Sequence, residues 1–123
     1  MLTLILRLQF PLLLALATYL SLTPEPGEVF ASYSDKFLHV LCWGGLYSSL
    51  RLALLGREHW VISAVSLLIY ASLVEFLQNL SPEREFSILD MGANTLGISL
   101  ALLFCYFAQA LYLRALTSKN ETC

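Results

Sequence analysis

The stretch from residue 75 to residue 97 gathers most of the side chains in this chain that can carry chemistry. They are Glu75, Gln78, Arg84, Asp90 and Asn94. Carboxylates exchange protons in general acid–base catalysis, and a guanidinium group binds phosphate or carboxylate through paired N–H donors. Long apolar runs flank the stretch, so its polar groups stand where the chain leaves and re-enters an apolar phase. This placement indicates a site.

A second polar group, Asp35, Lys36 and His39, precedes another apolar run. Residues three, four or seven apart lie on one face of a helix, so the spacing within each group sets which side chains meet. The shared faces are Asp35 with His39, Glu75 with Gln78, and Asp90 with Asn94 and Gly97.

The composition is that of an integral membrane protein. The chain has 123 residues, of which 58% are hydrophobic and 13% charged, and its mean hydropathy is +0.71. Soluble domains carry about 25% charged residues. The length allows one domain with about four spans of roughly 20 residues. The net charge of −2 gives no reason to expect a nucleic-acid partner.

Helix-breaking residues divide the chain into four apolar helices, so we predict an all-α, four-transmembrane-helix bundle forming a single domain over residues 1–123. The breaks fall at Pro24, Pro26, Gly56 and Pro82. Ser87 and Asp90 have the spacing of a capping box that opens the last helix. The predicted helices cover about residues 2–22, 36–55, 60–80 and 87–116.

Two further expectations concern the fate of the first helix and the packing between helices. The first helix is either a signal peptide or an uncleaved span, and the absence of Lys and Arg before its apolar core favours the span. A stripe of small residues, Ala93, Gly97 and Ala101, together with Gly44 and Gly45, predicts close helix–helix approach.

Basic residues predict the orientation, because loops on the cytoplasmic side carry an excess of Lys and Arg. The side that holds both termini has Arg7, Arg51, Arg57, Arg114 and Lys119. The other side has Lys36 and Arg84. Both termini are therefore predicted to be cytoplasmic, which puts the two polar groups at one depth on the outer side. We predict an outward-facing polar bowl built from helices two, three and four.

Within that bowl, His39, Glu75 and Asp90 are the candidate catalytic acid–base groups. The candidate ligand-binding residues are Asp35, Lys36, Gln78, Arg84 and Asn94. Each also has a structural interpretation, as a helix cap, an interfacial anchor or an interhelical clamp. A carboxylate inside hydrocarbon costs up to about 3 kcal/mol, so Glu75 should pair with Lys36, His39 or Arg84, or else hold a proton. The alternative partners for His39 are Asp90 and Glu75.

A zinc site made of His39, Glu75 and Asp90 is the remaining chemical alternative, since catalytic zinc takes histidine and carboxylate ligands. The sequence has no H-x-x-x-H or H-E-x-x-H pair, so we predict no metal site. It has no glycine-rich phosphate loop either, and no cofactor is predicted.

The order and spacing of these residues resemble the VanZ-like family of small bacterial membrane proteins. The resemblance spans about half of the chain and rests on Asp35-Lys36-x-x-His39, Glu75-x-x-Gln78, Pro82-x-Arg84 and Ser87-x-x-Asp90-x-x-x-Asn94-x-x-Gly97. The family is named for a protein that lowers sensitivity to the glycopeptide teicoplanin. The resemblance implies a multi-pass protein of the bacterial inner membrane that acts in the cell envelope.

Three functions are consistent with this sequence. The first is a VanZ-like envelope protein whose outward-facing site binds or modifies a lipid-linked or peptide-like molecule; its partners would be membrane lipid and a cell-wall precursor or glycopeptide. The second is a membrane-embedded hydrolase or transferase acting on a phosphorylated or acylated lipid. The third is a structural helical subunit, whose polar residues serve packing alone.

Overall fold

The computed structural model describes residues 1–23, 35–54, 59–80 and 87–121, with the side chains of the last helix described up to Ser118. Four helices make up this part of the chain, and it contains no strand, so the prediction of an all-α fold is confirmed. The helices are α1 (Leu2–Leu22), α2 (Asp35–Ala53), α3 (Trp60–Gln78) and α4 (Ile88–Glu121). The fourth helix continues beyond the predicted end at Leu116.

Three of these helices, α1, α3 and α4, are long and apolar enough to cross a membrane. The second helix is less apolar because it carries Asp35, Lys36, His39 and Arg51. It nevertheless provides much of the core, with Trp43 and other aromatic and aliphatic side chains buried. The least apolar helix therefore lies at the centre of the bundle, with Arg51 buried, His39 half-buried, and Asp35 and Lys36 exposed at its first turn.

The buried positions of α3 follow helical spacing along one face. They are Ser63, Ala64, Leu67, Ala71, Val74, Glu75 and Gln78. Steps of three and four residues keep these side chains on the stripe that faces the bundle. The stripe is apolar in its middle and polar at its C-terminal end. Packing of α3 therefore fixes the depth at which Glu75 and Gln78 enter the site.

The closest helix approach joins α2 and α4 at glycine. A Cβ added to Gly97 would lie 2.3 Å from the carbonyl oxygen of Val40, and one added to Gly44 would lie 3.0 Å from the carbonyl oxygen of Gly97. By contrast, a Cβ at Gly45 would meet nothing within 4 Å. Close approach of the small-residue stripe is thus confirmed, with Gly44 rather than Gly45 as its partner on α2.

The first helix has no buried residue of its own, and polar side chains attach it to the bundle. Near one end, Gln9 donates a hydrogen bond to the carbonyl of Ser49 at 3.2 Å. Further along, the hydroxyl oxygens of Thr18 and Tyr70 are 2.9 Å apart. Because α1 contacts α2 and α3 without burying a full face, a groove remains beside it.

The end of the bundle opposite to His39 is closed by aromatic residues around a buried cation. The guanidinium carbon of Arg51 lies 3.6 Å from the centroid of the Trp60 ring, and Arg51 is 6% exposed. Trp60 in turn meets Tyr106 edge to face, with ring centroids 5.9 Å apart. Arg51, predicted as an interfacial charge, is therefore a packing residue that joins α2 to α3.

Candidate functional site

The site lies where α2 begins, α3 ends and α4 begins. At its centre, His39 Nδ1 and Asn94 Oδ1 are 2.8 Å apart. An amide oxygen only accepts hydrogen bonds, so the hydrogen of this pair is on Nδ1. Asn94 is 2% exposed and is held by its place on the buried face of α4. The contact corrects the sequence-based expectation that His39 is bonded to Asp90 or Glu75.

Fixing the hydrogen on Nδ1 determines what the other ring nitrogen can do. In the neutral imidazole, Nε2 then carries a lone pair. Nε2 lies 3.8 Å from Oδ1 of Asp35, one turn earlier on the same helix. That separation is too long for a hydrogen bond, so the two atoms face each other across a gap. His39 therefore presents a basic nitrogen to a partly open space.

Asp90 forms the second side of the site and pairs with Lys36 across the α2–α4 interface. The ammonium nitrogen of Lys36 lies 3.3 Å from Oδ1 of Asp90. The contact is ionic only, because Oδ1 is buried without a hydrogen-bond partner among the described residues. The side chain of Lys36 is 49% exposed, whereas that of Asp90 is 12% exposed. The carboxylate is thus largely buried, and its cation lies half exposed at the surface.

Glu75 is 2% exposed and binds the backbone just before α4. Its Oε1 accepts a hydrogen bond from the amide N–H of Ser87 at 3.1 Å. The hydroxyl oxygen of Ser87 accepts from the amide of Asp90 at 3.2 Å, which is the first half of the predicted capping box. In the second half of a capping box, the Asp90 carboxylate would accept a hydrogen bond from the amide of Ser87. Here Glu75 accepts that hydrogen bond instead. The carboxyl of Glu75 therefore joins the end of α3 to the start of α4.

This role differs from the ion pair expected for Glu75. Within the described residues, no cation lies at salt-bridge distance from Glu75, and Lys36 binds Asp90 instead. Arg84, the third expected partner, lies outside the described residues. Glu75 is nevertheless linked to this region, because the Ser87 residue that it binds also caps the amide of Asp90.

Gln78 is turned toward α1. Its Nε2 donates a hydrogen bond of 2.6 Å to the carbonyl oxygen of Ser21 in the last turn of that helix. Gln78 is 5% exposed, so the contact is a buried tie between α1 and α3. The sequence did not point to Ser21, because a backbone carbonyl leaves no mark in a residue pattern.

Three potential ligand atoms converge beside this cluster. One atom each from Asp35, His39 and Asp90 lies within 4.8 Å of the other two. The side chain of Asp35 is 69% exposed, whereas those of His39 and Asp90 are 14% and 12% exposed. Aspartate oxygens and a histidine nitrogen form a donor set for a divalent cation.

An apolar groove of about 360 Å³ opens beside the polar cluster, between α1 and the neighbouring helices. Its polar end is formed by Asp35, His39 and Gln78. Its apolar wall is formed by Ala17, Leu20, Leu38, Leu41, Cys42 and Trp43. An apolar cleft with a few polar groups at one end suits a molecule with an apolar chain and a polar head.

The structure thus brings together His39, Glu75, Asp90, Asn94 and the first turn of α2. His59 is exposed and precedes α3 at the opposite end of the bundle, as its place in the sequence predicts. The fold and the site define a helical protein that has a polar cluster at one end, next to an apolar groove. Comparison with protein-family models, with curated proteins and with solved structures found no match for this chain.

Proposed function

We propose that this protein is a multi-pass membrane protein in which all four helices span the bilayer. Three of them have the length and apolar character of spans. The second helix has 19 residues, about 28 Å at 1.5 Å per residue, close to the hydrocarbon thickness of roughly 30 Å. Its polar residues face other helices or lie in the first turn, which is how charged groups are accommodated in a bundle.

The proposed orientation puts both termini in the cytoplasm of a bacterium and the polar site outside its inner membrane. Arg7 and Arg114 are exposed at the end opposite to the site, and Lys36 lies at the site. Because Arg51 is buried against Trp60, it is left out of the count of basic residues at the end that holds both termini. The excess of exposed basic residues in the described part still favours the same orientation.

In this orientation the site binds an amphiphilic lipid of the cell envelope, with its headgroup at the polar cluster and its chain in the groove. One observation carries the proposal: Asp35 and His39 belong to the polar cluster and also line the end of the apolar groove. A headgroup placed there reaches the basic Nε2 of His39 and the carboxylate of Asp90. Its chain extends along α1 toward Ala17.

A groove-blocking substitution tests this binding. Leu38→Trp fills the groove, whereas Ile69→Trp adds the same side chain to an exposed position on α3, away from the groove. Native mass spectrometry of protein purified in mild detergent measures retained lipids. Wild type and Ile69→Trp should retain the same amphiphile, and Leu38→Trp should lose it. Equal retention by both tryptophan variants would contradict binding in the groove.

The residue pattern that resembles the VanZ-like family supports a more specific role, in which the bound molecule is lipid-linked or peptide-like and the protein lowers sensitivity to teicoplanin. Expression in a teicoplanin-sensitive bacterium tests it. Wild type should raise the inhibitory concentration, while His39→Ala and Asp90→Asn should not, at equal protein levels in the membrane. His59→Ala is the matched control and should act as wild type does. Full activity of both site variants would refute the role.

A hydrolase or transferase acting on the same lipid is favoured by one specific feature, the basic Nε2 of His39 held in place by Asn94. Incubation of the purified protein with envelope lipids, followed by mass spectrometry of the products, separates catalysis from binding. A structural role fits Glu75 and Gln78, whose polar groups bind backbone atoms of neighbouring segments. We therefore assign these two residues to holding the bundle together.

A further inference from the structure

We propose that Asp35, His39 and Asp90 bind a divalent transition-metal ion. Their ligand atoms lie within 4.8 Å of one another, at the end of the groove. Around a tetrahedral zinc ion with ligands at about 2.0–2.2 Å, neighbouring ligand atoms are about 3.4 Å apart. Nε2 of His39 and Oδ1 of Asp35 are 3.8 Å apart and all three pairs lie within 4.8 Å, so side-chain movements of about 1.4 Å at most bring the ligand atoms to this spacing.

The hydrogen bond between His39 and Asn94 orients the histidine for this role. A metal-binding histidine donates its second ring N–H to an oxygen acceptor, which fixes the ring and leaves the other nitrogen free for the metal. Asn94 supplies that acceptor at 2.8 Å from Nδ1. Nε2 is consequently directed at the carboxylates with a lone pair.

The charge of the cluster also favours a cation. The carboxyl groups of Asp35 and Asp90 each have an oxygen within 4.8 Å of the other. In the described part of the chain, the ammonium of Lys36 is the cation that touches them. It contacts Oδ1 of Asp90, which is buried and makes no hydrogen bond in this part of the chain. A metal ion bound to Asp90 would therefore compete with Lys36 for this carboxylate.

Three protein ligands leave at least one coordination position open, as in catalytic zinc sites. The open position faces the groove, because Asp35 and His39 line it. A phosphate or carboxylate oxygen of a headgroup fits that position. The inference rests on the proposed function in one respect: the metal ion is the group through which the site would hold the anionic headgroup of the lipid.

Isothermal titration of Zn²⁺ into detergent-purified protein tests the metal site, with Mn²⁺ as the second probe. Wild type should bind one Zn²⁺ per chain, and more weakly Mn²⁺, as expected for a site with nitrogen and oxygen ligands. Asp35→Asn should weaken Zn²⁺ binding at least tenfold without affecting folding, because the Asp35 side chain is exposed. His39→Ala should abolish binding, and His59→Ala should leave it unchanged.

Lys36→Met provides the sharpest comparison. If lysine and metal compete for Asp90, removal of the ammonium must tighten Zn²⁺ binding. Equal or weaker binding by Lys36→Met, binding that persists in His39→Ala, or no binding to wild type would overturn the inference. Lipid retention, measured both with added Zn²⁺ and in EDTA, is the separate test of the groove, and only the loss of lipid in both conditions counts as no retention. Retained lipid with no zinc binding refutes the metal site alone, and zinc binding with no retained lipid refutes the proposed function alone.

Discussion

Replacement of Gly97 by alanine is predicted to separate α2 from α4 and disrupt the site. The new Cβ would lie 2.3 Å from the carbonyl oxygen of Val40 and 3.0 Å from its Cα, both of them backbone atoms. Backbone cannot turn aside as a side chain can, so the helices must move apart by about 1 Å to restore ordinary contact. A movement of that size lengthens the 2.8 Å contact between His39 and Asn94 beyond hydrogen-bonding range.

Two opposing contributions set the loss of stability expected for Gly97→Ala. Overpacking of a tight contact costs about 1–3 kcal/mol, and alanine gains up to about 1 kcal/mol over glycine in helix propensity. We expect Gly97→Ala to lower the free energy of unfolding by about 2 kcal/mol, more than a tenfold change in the folding equilibrium. Gly45→Ala should raise it by up to about 1 kcal/mol, because its Cβ meets nothing within 4 Å. Gly44→Ala, at 3.0 Å, should fall between them.

Unfolding in detergent, followed by the fluorescence of tryptophan, measures all three variants. Trp43 is 3% exposed in the core and reports loss of packing. The predicted order of stability is Gly45→Ala, then Gly44→Ala, then Gly97→Ala. If Gly97→Ala were as stable as Gly45→Ala, the close approach of α2 and α4 would be refuted. The geometry of the site, which depends on that approach, would be refuted with it.

Substitutions at three further contacts test each contact separately. Glu75→Leu should lower the free energy of unfolding by about 1–3 kcal/mol, because it leaves the amide of Ser87 without its acceptor. Glu75→Gln retains an acceptor and should cost less. Equal shifts of the melting temperature in the two variants would contradict the hydrogen bond. Tyr70→Phe should cost about 0.6 kcal/mol, and Thr18→Val should cost more because its hydroxyl also donates to the carbonyl of Leu14. The double variant should cost no more than Thr18→Val alone, whereas additive losses in a double-mutant cycle would refute a direct bond. Arg51→Met should cost about 1–2 kcal/mol in chemical unfolding and alter the emission of Trp60, and unchanged emission would contradict the cation–π contact.

The fold follows closely from the sequence because its determinants are local. Prolines and a glycine mark the breaks, and apolar runs between them are long enough for four helices. The face of each helix is equally predictable: Glu75 and Gln78 enter the core together because three residues make most of a turn. Crossing of α2 and α4 at small residues was predicted from composition, but the choice of Gly44 over Gly45 depends on the rotation of α2, which no local pattern determines.

The partners of the polar side chains could not be predicted with the same success. Glu75 was expected to pair with Lys36, His39 or Arg84 or else to hold a proton; its observed hydrogen-bond partner is a backbone N–H, and Gln78 donates to a backbone carbonyl. Arg84 lies outside the described residues, so its pairing with Glu75 stays a prediction. Backbone groups are present at every residue, so sequence patterns carry no signal for them. To predict the proximity of Asp35, His39 and Asp90, one would need the position of α2 along α4. That position depends on the contact at Gly44 and Gly97.

The central claim is that the polar cluster binds a ligand rather than serving packing alone. Native mass spectrometry of His39→Ala beside His59→Ala tests it most directly, because the same substitution is made inside and outside the cluster. We predict that wild type and His59→Ala retain an amphiphile and that His39→Ala, still folded, has lost it. Retention of the same molecule by folded His39→Ala, at the level found for His59→Ala, would contradict the claim.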